Sequence, residues 1–128
     1  MGLHSARSRK VYAQKEFTAV EKRNNKYIAI IEKYGVEEVL IQAAEECAEL
    51  IQACCKMMRV KRGTTPVSAE DARTSLVEEM ADVTVVQSAL INGVLNQNER
   101  SEMFHTSFQK MERWFDRLLK KEDSNAGN

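Results

Sequence analysis

Proline is nearly absent from this 128-residue chain, which has one, Pro66. Glycine is scarce, with five. Long stretches are therefore free to be helical without interruption. No apolar run reaches the roughly 20 residues that a membrane span needs. No apolar block follows the basic start, so no secretory signal is expected, and position 6 lacks the Ser or Thr that myristoylation requires. Cysteine is limited to Cys47, Cys54 and Cys55, an odd number without C-x-x-C spacing. These read as small core residues of a protein in a reducing, cytoplasmic compartment. The two histidines, His4 and His105, stand apart from each other. No Gly-rich phosphate loop of the Walker type occurs. The length suits one domain with one core.

Net charge is zero, yet the charges are segregated. Residues 1–33 carry eight Lys or Arg against three Glu. Residues 34–55 carry five Glu and no basic residue, and residues 74–99 carry four acids and no basic residue. The chain then turns basic again at Arg100, Lys110, Arg113, Arg117, Lys120 and Lys121. A nucleic-acid binder usually shows a net basic domain, so this pattern points away from nucleic acid and toward an internal acidic site.

Residues 1–15 are polar and acid-free, which predicts a flexible basic arm. Apolar periodicity predicts helices from about Phe17 to Lys33, Val36 to Val60, Ala69 to Leu95, and from Asn96 or Asn98 to Lys121. Gly35 and Gly63 mark helix ends, and Ser68 followed by Asp71 marks a start. On the second helix the expected inner stripe is Leu40, Ala44, Cys47, Ile51, Cys54 and Met58. The third helix is apolar nearly all round, which in so small a domain calls for a second subunit. On the fourth, Met103, Phe104, Phe108, Met111, Phe115 and Leu118 are expected to face inward. Residues 122–128 read as a disordered tail. The expected fold is all-α: a domain over 16–121 shaped as a four-helix bundle, assembled as a dimer or a dimer of dimers.

Two strings carry chemistry. The first is EECAE, with Glu45, Glu46 and Glu49; the second is EEMAD, with Glu78, Glu79 and Asp82. Residues three apart share a helix face, so Glu46 pairs with Glu49 and Glu79 with Asp82. None has a Lys or Arg three or four residues away, whereas a solvated helix face normally interleaves charges. Glu79 also falls within the apolar arc of Leu76, Val83, Val86 and Leu90. An unpaired carboxylate there costs several kcal/mol or stays protonated. Four carboxylates from two helices suit a hard cation, Mg²⁺ or Mn²⁺. The lack of a histidine nearby argues against zinc and against di-iron Glu-x-x-His sites. The competing reading is two solvated acidic faces. It suits EECAE alone, whose expected apolar stripe lies on the other side of its helix, better than it suits both strings together.

Over residues 34–118, the strings EECAELIQACCK and LVEEMADV resemble the all-α nucleoside triphosphate pyrophosphohydrolases, in particular the MazG-like branch. The resemblance implies Glu46, Glu49, Glu79 and Asp82 as magnesium ligands. It implies Glu45 and Glu49 as catalytic residues, with Glu45 beside the ligands and able to orient or deprotonate the attacking water. It implies Lys110, Arg113 and Arg117 as phosphate-binding residues. The implied reaction cuts nucleoside triphosphates, deoxynucleotides foremost, to monophosphate and pyrophosphate in a homodimer or homotetramer that cleanses the nucleotide pool. Three rivals remain: a phosphoribosyl-ATP or dUTP/dCTP-specific hydrolase, a non-enzymatic helical oligomerisation or regulatory module, and a cation-storing bundle.

Overall fold

A computed structural model describes residues 18–127, without the side chain of Asp123. It contains four helices: α1 (Ala19–Tyr34), α2 (Val36–Arg62), α3 (Ala69–Gly93) and α4 (Gln97–Ala126). The basic arm expected over residues 1–15 lies outside the described residues. No described helix is long and apolar enough to cross a membrane.

The helix ends follow from local chemistry. Thr18 and Glu21 form a reciprocal capping box at α1, with Glu21 N–H donating to Thr18 Oγ1 at 3.2 Å and Thr18 N–H to Glu21 Oε2 at 2.9 Å. Asn96 and Glu99 repeat the device at α4, at 3.0 and 2.8 Å. Ser68 Oγ accepts from Asp71 N–H at 3.0 Å and opens α3. Gly63 closes α2 in the left-handed region, φ 67° and ψ 25°, where a side chain would be strained. Gly35, at φ 88°, is the single-residue joint between α1 and α2.

α2 and α3 form the main pair, and they run antiparallel. Val39 shares the core with Ala89, Glu46 lies beside Asp82, and Lys56 Nζ donates to Ser75 Oγ at 3.1 Å. α1 packs chiefly on the C-terminal end of α3. There Gly93 permits the approach: a Cβ on it would overlap Ile31 Cγ1 and sit 2.9 Å from Ile31 Cβ. Among the described residues the buried core is thin, comprising Ile31, Val39, Ala53, Ala72, Val86 and Ala89, with no large side chain fully buried.

Three expectations need correction. α4 does not complete a four-helix bundle: among the described residues it packs along none of the other helices, although its first turn is tied to the end of α3 by Arg100, whose Nη1 donates to Ile91 O at 3.4 Å and to Leu95 O, in the loop that follows, at 2.7 Å. Phe104, Phe108, Met111, Phe115 and Leu118 are accordingly exposed, and only Met103 is half-buried. α4 also runs to Ala126, so 122–126 belong to the helix and not to a separate tail. On α2 the inward stripe is Val39, Ala43, Glu46, Leu50, Ala53 and Met57. The stripe expected from Leu40 to Met58 is exposed instead, and Cys47 and Cys54 are exposed with it, while Cys55 is half-buried. α2 has two apolar faces one residue apart, and only one of them meets α3.

Candidate metal centre

The inward stripe of α2 carries Glu46 among apolar residues. The matching stripe of α3, Ala72, Leu76, Glu79, Val83 and Val86, carries Glu79 the same way. The antiparallel register sets these acids opposite each other near the middle of the pair. Glu46, Glu79 and Asp82 each offer a carboxylate oxygen, and these oxygens all lie within 4.8 Å of one another. Glu46 and Glu79 are half-buried, and Asp82 is exposed at the rim.

Glu79 is the residue under most electrostatic stress. Its Oε2 is buried and has no hydrogen-bond partner among the described residues. Its pKa is raised above the ordinary carboxylate value, first by burial, then by the negative charges of Glu49 and Asp82, by a hydrogen bond with Glu49 that the protonated acid makes, and by Glu46. Glu49 thus joins the group although it is exposed. Gln42, one turn before Glu46, donates from Nε2 to Glu46 Oε1 at 2.5 Å and fixes that carboxylate. The role of Gln42 was missed in the sequence, where its position four residues before Glu46 was the available signal.

Among the described residues the group is short of positive charge. Lys110, Arg113 and Arg117 line one exposed cleft with Trp114 on α4, beyond the first turn that Arg100 ties to α3, and among the described residues α4 packs along neither α2 nor α3. Within one chain the structure therefore does not bring these cations to the acids. Glu45 and Glu78 are exposed and lie outside the tight group, with Glu45 one turn from Glu49 on the same side of α2.

An all-carboxylate oxygen set with one orphaned buried oxygen fits a hard divalent cation such as Mg²⁺ or Mn²⁺, which takes oxygen donors and would satisfy Glu79 Oε2. Without such a cation, burial and the neighbouring acids favour protonation of Glu79 over the charged form. No family model, curated protein or solved structure matches this chain.

Proposed function

We propose that the chain is a magnesium-dependent nucleoside triphosphate pyrophosphohydrolase. The observation that carries this reading is the orphaned, half-buried carboxylate of Glu79, set in an apolar seam against Glu46 and Asp82 with Glu49 beside it. Folding several acids into one seam without a cation costs free energy, so a recurring occupant is the economical explanation. The EECAE and EEMAD strings, with their resemblance to MazG-like enzymes, supply the reaction.

Glu46, Glu79, Asp82 and Glu49 would hold magnesium, which when bound would neutralise triphosphate charge and acidify water. Water attacks the α-phosphorus, the bond from that phosphorus to the bridging oxygen breaks, and the monophosphate and pyrophosphate leave. Glu49, at the exposed edge of the group, takes the proton of the attacking water, and Glu45 one turn away orients it. Gln42 keeps Glu46 aimed into the seam. The reaction needs positioning and charge stabilisation more than covalent work by the protein, so no nucleophilic side chain is required.

The active form is a homodimer or a dimer of dimers. Three features support this: the thin core, the second apolar face of α2, and the unpacked apolar face of α4. A partner's α4 laid across the acidic seam would match basic charge to acidic charge and supply phosphate-binding cations in trans. The test is pyrophosphate release from a panel of ribo- and deoxynucleoside triphosphates, with and without Mg²⁺. Magnesium-dependent release that Glu79→Gln abolishes supports the reading. A folded protein that releases none leaves a non-enzymatic helical module as the better account.

A further inference from the structure

Beside the acidic group lies a groove of about 300 Å³ between α1, α2 and α3. Val86 and Ala89 form its apolar floor, Ile30 and Tyr34 one wall, and Glu38 and Gln42 its polar edge. Its volume sits at the low end of the roughly 300–1,000 Å³ typical of small-molecule sites, which suits one flat ring system better than a whole nucleotide. Tyr34 supplies an exposed aromatic ring at the rim, a surface on which a base can stack.

Gln42 joins the groove to the acids. It lines the groove and donates its amide to Glu46 at 2.5 Å. A ligand with a ring in the groove and an anionic tail would therefore have that tail directed to the cation site. The same bond orients the amide, because with Nε2 on Glu46 the carbonyl oxygen is the end left for a ligand. Glu38, four residues earlier on the same face of α2, presents a carboxylate with no partner among the described residues. The polar edge thus offers acceptors. Adenine and cytosine carry an exocyclic amino donor at C6 and C4, and guanine carries one at C2, whereas uracil and thymine carry none.

We propose that this groove seats the nucleobase, and that Glu38 and the Gln42 carbonyl oxygen select bases with an exocyclic amino group over uracil and thymine. This assignment rests on the pyrophosphohydrolase reading above.

The test uses nucleosides, which carry no phosphate, and no magnesium. Adenosine, cytidine, guanosine, uridine and thymidine are titrated to millimolar concentration into the full chain, and the methyl resonances of Ile30, Val85 and Ala89 are followed. The expected result is that the amino-bearing nucleosides shift these methyls and bind about tenfold tighter than uridine, the scale of one hydrogen bond to a charged acceptor. Glu38→Gln should collapse that ratio, and Val85→Trp, at an exposed position lining the groove, should block all five. Equal binding of uridine, a ratio that Glu38→Gln leaves intact, or no shift with any nucleoside would overturn the proposal. A protein that binds nucleosides selectively but releases no pyrophosphate keeps the groove and loses the catalytic reading; a hydrolase blind to the base does the reverse.

Discussion

Glu46 on α2 and Glu79 on α3 occupy facing positions of one seam, each flanked along its own helix by apolar residues that pack the two helices together. The packing surface and the acidic site are therefore the same surface. What stabilises the helix pair forces the carboxylates together, and what relieves the carboxylates should tighten the pair.

Glu79→Gln should raise the stability of the metal-free protein at neutral pH. The folded-state pKa of Glu79 is raised, so the folded state binds more protons than the unfolded chain between the ordinary carboxylate value of 4.5 and that raised value. The stability this proton confers is present at and below the ordinary value and is lost as pH rises toward the folded one. Thermal melts of wild type and Glu79→Gln across that window should therefore diverge as pH increases, with the variant the more stable at the top. Parallel curves would remove Glu79 as the stressed group.

Magnesium should raise the melting temperature of the wild type near neutral pH and leave Glu79→Gln and Glu46→Gln nearly unmoved. At a hundredfold excess over its dissociation constant, a ligand that binds only the folded state adds about 2.7 kcal/mol. Sodium chloride at equal ionic strength is the control for screening alone. Differential scanning calorimetry makes the comparison.

Gly93→Ala should destabilise the protein by about 1–3 kcal/mol, the usual scale of overpacking. The added methyl meets the branched part of Ile31 and not a flexible end, so α1 must lift from α3. Adding Ile31→Ala to the same chain should give a loss smaller than the sum of the two single losses, because the truncation that leaves a cavity also removes the clash. Denaturant melts of the three variants give the answer.

Charges placed on the apolar face of α4 should split the assembly. Phe108→Glu with Phe115→Glu alters two exposed side chains, so the protomer should fold as before. Sedimentation equilibrium should report a single protomer where the wild type reports two or four. Lys110→Ala and Arg113→Ala should instead keep the assembly and raise KM if, as proposed, these cations meet the phosphates.

The helix boundaries up to the start of α4 were legible because they rest on short-range chemistry: Gly35 and Gly63 as stops, Ser68 as a cap, and Asn96 as one of two candidate caps with Asn98. Glu79 was legible as an acid within an apolar arc. The face of α2 was not. Its two apolar stripes differ by one residue, and the true inner one carries Glu46, so it scores as the more polar and loses to the outer stripe from Leu40 to Met58. The placement of α4 was hidden for a related reason. An amphipathic helix declares that it has an apolar face, and periodicity is silent on whether that face meets its own chain or another.

The most direct test of the central claim is pyrophosphate release by the wild type and Glu79→Gln across a panel of nucleoside triphosphates, with magnesium and with chelator. The account predicts release that requires magnesium and is lost in the variant, although the variant is folded and at neutral pH the more stable of the two. Release that persists in chelator, or in Glu79→Gln, would contradict it.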